Sequence, residues 1–377
     1  MRKFRKKYLM NPFIISGYKS PEYFCDRQAE TLKIMDAIEN SRNVTLVSFR
    51  RLGKTGLLRH VEHKIGSKMP FLYIDLYPTL ELQDFINLFS NSIIHGLEPL
   101  TDRVIRKVTA FFSALRPRFS FDPQTGSPSI EINIADRGEA NMTIHLLFDY
   151  IRQSGRKVTV AFDEFQQILE YPEKNVEALL RTEIQTNTES CFIFSGSQTH
   201  MLLSMFNEYS RPFYQSSEIL ELGKIKKDEY ATFISEFFSR FNKDLSVAVA
   251  EYIYDINGGI TFNVQYTCNK LFSSGIDKIE ERDAIKMLDK ILEENEIIYY
   301  NYRELLTKLQ FQLLRAIAKE DKVEKPYSER FIQKYKLGAA SSVRSAIDVL
   351  KGKGMLMEDQ GLRVTDRFFS LWLKKQI

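Results

Sequence analysis

Short apolar runs alternate with helical patterns over the first 223 residues of the chain. The runs are rich in β-branched and aromatic side chains, and they predict strands at 44–48, 71–75, 158–162, 191–195 and 218–222. Between them, apolar side chains recur at the spacing of one helix face, which predicts helices at 27–40, 55–65, 81–97, 141–154 and 175–187. Helical crossovers between short strands are typical of a parallel sheet sandwiched by helices. We therefore predict an α/β fold, with one domain over residues 1–223.

The interval between the second and third predicted strands is long for a single crossover. It contains two alternating runs, 116–121 and 130–134, on either side of a turn at 122–126 that carries Pro and Gly. This pattern predicts a β-hairpin inserted at about 116–135. Such a hairpin can serve a partner, but a solvent-facing decoration is the simpler interpretation.

The pattern changes after residue 223. Residues 224–297 are helical and charged, with a break at 257–259, and form a second predicted domain. Residues 298–377 form a third: the patterns predict helices at 309–317, 331–335 and 341–351, then short strands at 355–357 and 362–364. Three helices followed by a hairpin indicate a winged helix-turn-helix.

Composition limits the class of protein. A chain of 377 residues is too long for one typical core, and its three scattered cysteines favour buried thiols in a reducing compartment over disulfides or zinc. We find no apolar stretch of the ~18 residues that a membrane span needs, so we expect no membrane contact and a cytoplasmic protein. The basic start, residues 1–7, lacks the apolar run and cleavage site of a signal peptide, and we interpret it as a solvated arm.

One motif points to phosphate chemistry. The run Ser48–Thr55 follows an apolar strand and opens an amphipathic helix, which is the context of a G-x-x-x-x-G-K-[ST] phosphate-binding loop. Backbone N–H groups of such a loop surround a phosphate, and the helix N-terminus adds partial positive charge. The predicted nucleotide-binding residues of the loop are Ser48, Arg50, Arg51, Leu52, Gly53, Lys54, Thr55 and Gly56. For Arg50 and Arg51, contact with a neighbouring subunit and a solvated or structural role are the alternatives.

Two positions of the loop carry specific expectations. Lys54 would reach the β- and γ-phosphates, and the Thr55 hydroxyl would ligate Mg²⁺. Ser48 replaces the first glycine of the motif, and serine tolerates positive φ poorly, so we expect a slightly altered start of the loop.

A second motif supplies carboxylates. The apolar run 158–162 ends in Asp163 and Glu164, which would lie at the carboxyl edge of a parallel sheet, where ligands bind. Asp163 would hold Mg²⁺, and Glu164 would polarise the attacking water as the catalytic base. Together the two motifs predict an ATP-binding, Mg²⁺-dependent ATPase.

Several stretches together resemble the archaeal-type ATPase family, STAND/AAA+-like P-loop proteins of archaea and bacteria, and the chain resembles a bacterial member. The similar stretches are Asn11-Pro12-Phe13, Tyr23–Glu30, Arg50–Thr55, Asp163–Gln166, Phe192–Ser197, Ser210–Tyr214 and Val364–Leu373. The chain departs from the family pattern at Ser48, at Arg367 where proline is usual, and at Phe262, where the turn before the helix of the lid lacks its proline.

The resemblance implies further roles. The domain at 224–297 would be the helical lid, Ser195 and Ser197 would monitor the γ-phosphate, and Arg211 would stabilise transition-state charge in cis or across a subunit interface. The adenine would lie near Asn11 to Arg27. The candidate base contacts there are Tyr18, Phe24 and Arg27, although Phe24 fits the core equally well.

The partner is the most open question. Residues 331–377 contain nine basic and four acidic side chains. This positive excess suits contact of helix 341–351 with a DNA backbone, although winged helices also bind proteins. Two hypotheses stand: an ATPase switch whose nucleotide state governs homo-oligomer assembly or contact with a protein client, and a DNA-binding regulator in which ATP only sets conformation. His60 and His63 lack a third ligand at matching spacing, and we interpret both as exposed helix residues.

Overall fold

The structure is a computed structural model that describes residues 11–97, 111, 118–121, 128–358 and 360–376. The chain divides into two compact units, Gly17–Gly223 and a unit that joins Met1–Ser16 to Lys224–Ile377. The predicted basic arm and the turn at 122–126 lie outside the described residues.

The first unit alternates helices and strands. Its helices are α1 (Gln28–Glu39), α2 (Lys54–Ile65), α3 (Leu82–Leu97), α4 (Arg137–Gln153), α5 (Val176–Thr186) and α6 (Thr199–Asn207). Its strands are β1 (Val44–Val47), β2 (Phe71–Asp75), β3 (Arg118–Phe121), β4 (Pro128–Glu131), β5 (Thr159–Asp163), β6 (Cys191–Gly196) and β7 (Glu218–Glu221). Short 3₁₀ helices occupy Pro21–Tyr23, Gly66–Lys68 and Phe165–Glu170.

Five strands form one parallel sheet in the order β2-β5-β6-β1-β7. The register sets Asp75 beside Asp163, so β2 and β5 end at the same level. Because all five strands run the same way, the segments after β1, β2, β5 and β6 meet at one edge of the sheet. The prediction of a parallel α/β sheet is confirmed.

Aromatic side chains fill the core beneath that edge. Phe165, Phe194, Phe206 and Phe213 are buried and mutually in contact, with ring centroids 4.7 Å apart for Phe165 and Phe194 and 4.9 Å apart for Phe194 and Phe206. Phe194 lies one residue before Ser195, and Phe165 follows Glu164. This cluster therefore supports the polar residues at the carboxyl ends of β5 and β6.

We expect Phe194→Ala to destabilise the protein by about 3–5 kcal/mol, because it leaves a cavity among packed rings. Chemical denaturation would measure the change in the free energy of unfolding. Tyr209→Ala is the matched control, since Tyr209 is 88% exposed and its loss should shift stability little. Equal stability of Phe194→Ala and the wild type would contradict the packing described here.

The inserted segment carries an antiparallel strand pair, β3 with β4. The predicted second strand extended to residue 134, but pairing ends at Glu131. Beyond it, α3 holds the backbone: Ile132 N–H donates to Asn87 Oδ1 at 3.0 Å and Ile134 N–H donates to Gln83 Oε1 at 2.9 Å. Side-chain amides thus replace the ladder, and Ile132 is buried in the core of the first unit.

The second unit is mainly helical. Its helices are α7 (Lys227–Arg240), α8 (Val247–Ile256), α9 (Thr261–Ser273), α10 (Glu281–Glu294), α11 (Glu296–Glu304), α12 (Lys308–Glu320), α13 (Glu329–Tyr335), α14 (Ala340–Gly352) and α15 (Arg367–Lys375). Its strands are β8 (Asp244–Leu245), β9 (Lys278–Ile279), β10 (Leu356–Glu358) and β11 (Leu362–Val364). β8 and β9 pair in parallel, and β10 and β11 form an antiparallel hairpin after α14.

The segment at 11–16 belongs to this second unit. Asn11 Nδ2 donates to the carbonyl of Asn269 at 2.7 Å, and Asn269 Nδ2 donates to the carbonyl of Phe13 at 2.7 Å. Phe13 is buried among aromatic rings, with its centroid 4.8 Å from that of Phe238. This reciprocal amide pair anchors the segment to α9.

The two departures in this unit have physical reasons. Gly258 and Gly259 have φ of 64° and 67°, and a Cβ at Gly259 would lie 2.6 Å from the Tyr254 ring, so the turn before α9 is fixed by glycines instead of proline. Arg367 makes contacts that a proline could not: Nε donates to the Ile256 carbonyl at 3.1 Å and Nη1 donates to Asp321 at 2.7 Å.

Among the described residues, none of the helices has the length and apolar character needed to cross a membrane.

Candidate functional site

The phosphate-loop motif connects β1 to α2, as its sequence predicts. The loop spans residues 48–53, and its left-handed backbone positions are Arg51, with φ of 69°, and Gly53, with φ of 98°. Ser48 is not among the positive-φ residues, so the backbone reason for expecting an altered start of the loop does not apply. Its hydroxyl donates to the Phe49 carbonyl at 2.8 Å. The loop accepts serine without an unusual backbone.

Lys54 begins α2 and is 7% exposed. Its ammonium donates to the Ser48 carbonyl at 3.1 Å and to Ser48 Oγ at 3.3 Å. Burial lowers the pKa of this ammonium, while the carboxylates of Glu164 and Asp163 raise it. A buried cation beside the loop is the arrangement that an anionic phosphate would favour most.

Arg27 supports the loop from the chain segment before α1. It is 3% exposed, and Nη2 donates to the Leu52 carbonyl at 3.1 Å while Nη1 pairs with Glu30 at 3.2 Å. Leu52 itself is buried. The contacts of Arg27 therefore fix the loop backbone, which is a different use from the base contact predicted from the sequence.

Asp163 is the centre of a hydrogen-bond network at the end of β5. It is 3% exposed; Oδ2 accepts from Thr55 Oγ1 at 2.9 Å and from the Tyr73 hydroxyl at 2.7 Å. Oδ1 accepts from Ser195 Oγ at 2.8 Å and from the Glu164 N–H at 3.1 Å. Four donors on one carboxylate fix its orientation toward the first turn of α2.

Thr55 and Asp163 suit Mg²⁺ by their chemistry. A hydroxyl and a carboxylate oxygen 2.9 Å apart are hard oxygen donors, and Mg²⁺ is typically bound by one or two protein ligands with phosphates and waters completing its shell. Within the described ranges, no group of three or more His, Cys, Asp or Glu residues is arranged to hold a metal. The residues present therefore fit an ion that is shared with a nucleotide.

Glu164 has a left-handed backbone, with φ of 53°, at the start of the 3₁₀ helix Phe165–Glu170. Its Oε2 accepts from Ser197 Oγ at 2.9 Å, from the Ser197 N–H at 3.1 Å and from Gln166 Nε2 at 2.6 Å. Ser197 Oγ also accepts from Arg50 Nε at 3.3 Å. The phosphate loop is thereby connected to the glutamate through one serine.

An aromatic group lies beside the first turns of α2. Phe24 stacks on His60 with centroids 4.2 Å apart, the Tyr18 hydroxyl is 2.9 Å from His60 Nδ1, and a Cβ at Gly56 would lie 3.6 Å from Phe24. His63 is exposed as predicted, but the same prediction for His60 was wrong, because Tyr18 and Phe24 cover its ring. Burial lowers the pKa of His60 to about 4, so the ring is neutral at pH 7.

Within the described residues, Arg211 makes no hydrogen bond or ion pair to the phosphate loop. Its guanidinium pairs with Glu177 of α5 at 3.3 Å. Burial raises the pKa of the Glu177 carboxyl, and Arg211 lowers it. Arg211 Nε and Glu177 Oε1 are buried without a hydrogen-bond partner.

The structure thus brings together Ser48, Arg50, Lys54, Thr55, Asp163, Glu164, Ser195 and Ser197, and it leaves Arg211 apart. The roles assigned to these residues stay predictions, because the structure gives their positions alone. Sequence reasoning missed Tyr73 and Gln166. The only sequence signal for either is a polar side chain near the end of a predicted strand, outside any recognised catalytic motif. Tyr73 lies two residues before the end of β2, and Gln166 lies two residues after the candidate base.

The family comparison decides the class of the chain. The family described as an ATPase domain predominantly from Archaea matches residues 24–266. This chain belongs to that family. A probable winged helix domain matches residues 297–375, in agreement with the α12–α15 and β10–β11 arrangement. The predictions of an archaeal-type ATPase and of a C-terminal winged helix are confirmed.

Solved structures of the same fold cover nearly the whole ATPase chain. A Walker-type ATPase of Pyrococcus abyssi has a TM-score of 0.67 at 19% identity, over 96% of this chain and 99% of that chain. The ORC2 protein of Aeropyrum pernix, solved in ADPNP–ADP complexes, has a TM-score of 0.58 at 16% identity, over 97% and 98%. The ORC1 protein of Aeropyrum pernix, in complex with DNA, has a TM-score of 0.50 at 11% identity, over 94% of each chain. No curated protein matches this chain.

Proposed function

We propose that this ATPase-family chain binds ATP with Mg²⁺ and hydrolyses it, and that its nucleotide state governs assembly or contact with a protein client. The observation that supports this most is the convergence of Lys54, Thr55, Asp163 and Glu164 at one edge of the sheet. A binding protein needs the first three, whereas the placement of a base is specific to hydrolysis.

The chain's own residues divide the work. The loop at 48–53 and the start of α2 direct N–H groups and the Lys54 ammonium at phosphate oxygens. Mg²⁺, held by Thr55 and Asp163, would supply charge that neutralises those oxygens. Glu164 takes the proton of the attacking water, and its contact with Ser197 links the base to Arg50 of the loop.

That link supports the proposed switch role. Ser197 contacts both the loop arginine and the base, so a change at the phosphates reaches β6 through one hydroxyl. Arg211, paired with Glu177, is the candidate for transition-state charge once it is released toward a nucleotide in cis or in a second copy of the chain. We also propose that 224–297 acts as a helical lid and 298–377 as the winged-helix domain.

Magnesium dependence tests the metal assignment. Thr55→Val keeps the shape of the side chain but removes the hydroxyl, and we expect the Mg²⁺ concentration for half-maximal turnover to rise by about 10-fold or more. Thr55→Ser retains the hydroxyl and is the matched control. Turnover would be measured as phosphate release during a Mg²⁺ titration. An unchanged Mg²⁺ requirement in Thr55→Val would remove Thr55 from the metal site.

DNA binding through the winged helix is the second candidate, and the charge distribution weakens it. Five of the nine basic side chains counted in 331–377 form ion pairs: Lys334–Glu320, Lys351–Glu358, Arg367–Asp321, Lys374–Asp321 and Lys375–Asp289. Three of these acids, at 289, 320 and 321, lie outside the window. Asp348 is exposed on α14 as well, and Arg344 lies over the Tyr327 ring. The positive excess of the sequence window overstates the charge offered to phosphates.

A salt titration of binding to duplex DNA separates the two candidates. Only Lys336, Arg344, Lys353 and Arg363 of the nine lack an ion pair among the described residues, so a DNA contact made by this window would release about four counterions at most. Fluorescence anisotropy should give a slope of log K against log salt no steeper than about −4. A steeper slope that Arg344→Ala reduces would favour the DNA-binding regulator.

A further inference from the structure

Gln166 is a buried polar residue beside the candidate base. It lies in the 3₁₀ helix after β5, is 2% exposed, and its Nε2 donates to Glu164 Oε2 at 2.6 Å. Its Oε1 is buried without a hydrogen-bond partner. Burying an amide whose oxygen makes no hydrogen bond is unfavourable. The short hydrogen bond from its NH₂ group to the carboxylate must therefore serve the structure or the reaction.

The absence of a side chain at Gly196, at the end of β6, leaves the space that this amide occupies. A Cβ on Gly196 would lie 2.0 Å from Gln166 Oε1, 3.1 Å from its Cδ and 3.3 Å from Leu202 Cδ2. The glutamine therefore lies directly against backbone, and no other residue type at 196 leaves it in place. The opposite amide orientation would set a carbonyl against the carboxylate, so only the observed one is attractive.

The three donors on Glu164 all reach the same oxygen. Gln166 Nε2, the Ser197 N–H and Ser197 Oγ bond to Oε2, and within the part of the chain that the structure describes no donor contacts Oε1. One oxygen is thus held from two sides, by the 3₁₀ helix and by β6. The other remains to accept a proton from water.

We propose that Gln166 is a positioning residue for ATP hydrolysis, which holds Glu164 by Oε2 so that Oε1 faces the attacking water. This inference rests on the proposed function. Gln166 touches neither nucleotide nor water in it; it acts through Glu164, and Gly196 holds Gln166 in turn. The Glu164 side chain can rotate about several bonds, and it must lose this conformational entropy to reach the reactive geometry. Hydrogen bonds that fix its orientation before the reaction reduce that cost.

The test is steady-state phosphate release by the full chain with Mg·ATP in Gln166→Met, which keeps the length of the side chain and removes the donor. We expect kcat to fall roughly 10-fold, with the KM for ATP and the melting temperature unchanged. Gly196→Ala should reduce kcat in the same way, because the added methyl group displaces the amide of Gln166 although Gln166 itself is unchanged. Gln167→Met is the matched control: that amide donates to the Thr79 carbonyl at 3.1 Å, and kcat should be unchanged.

A double variant separates positioning from a general structural effect. In Glu164→Gln, adding Gln166→Met should reduce the residual turnover no further, since the residue that Gln166 positions has already lost its role. An unchanged kcat in both Gln166→Met and Gly196→Ala, beside a wild type whose turnover depends on Glu164, would overturn the positioning role alone. Additive losses in the double variant would also overturn it. Absence of turnover in the wild type would overturn the proposed function as well.

Discussion

Lys54→Ala is expected to weaken ATP binding severely and to reduce turnover with it. The Lys54 ammonium is the buried cation of the loop, and burial lowers its pKa in the protein without nucleotide. A bound phosphate would return the electrostatic stabilisation that burial removes, so nucleotide and lysine stabilise each other. Loss of a charge-assisted hydrogen bond to a phosphate weakens binding by roughly 100-fold. Isothermal titration with ATP and Mg²⁺ would measure the affinity.

Lys64→Ala is the matched control for this loss. Lys64 lies near the other end of α2 and is exposed, so its removal should leave ATP affinity unchanged. Wild-type affinity in Lys54→Ala would mean that the loop does not bind phosphate. The assignment of the motif would then be wrong despite its strand–loop–helix context.

Glu164→Gln is expected to retain ATP binding and to lose turnover by about 100- to 10,000-fold, the range over which a positioned general base contributes. The amide keeps the size of the side chain but cannot take a proton from water. The substitution leaves the metal-binding candidates Thr55 and Asp163 unchanged, so the affinity for ATP should not fall. Phosphate release and ATP affinity would be measured on the same preparation.

Glu170→Gln is the control for the charge change. Glu170 ends the same 3₁₀ helix and is exposed, and its neutralisation should change neither quantity. Turnover that persists in Glu164→Gln would show that another group activates the water.

Local signals predicted the scaffold well. The five strands of the parallel sheet lie within one residue of their predicted bounds, because apolar runs and helix periodicity are properties of neighbouring residues. The phosphate loop was predicted for the same reason: strand, loop and helix are contiguous. Ser48 was the exception, because the left-handed backbone positions of the loop are Arg51 and Gly53 and not the serine.

Contacts between distant segments could not be predicted in the same way. Nothing in the sequence places β2 next to β5, so the Tyr73 hydroxyl on Asp163 was not foreseen. The burial of His60 and the use of Arg27 to hold Leu52 depend on the path of the segment before α1. The ion pairs of the basic side chains in 331–377 could not be foreseen either, because their partners Asp289, Glu320 and Asp321 lie outside that window.

The most direct measurement is phosphate release from Mg·ATP by the full chain, beside Glu164→Gln, at ATP concentrations that saturate both, with and without duplex DNA. We expect Mg²⁺-dependent release by the wild type, loss of that release in Glu164→Gln, and little effect of DNA. Equal release by the two proteins would contradict the assignment of the base. Absence of release by the wild type in both conditions, with ATP bound, would contradict the proposal of an ATP-hydrolysing switch.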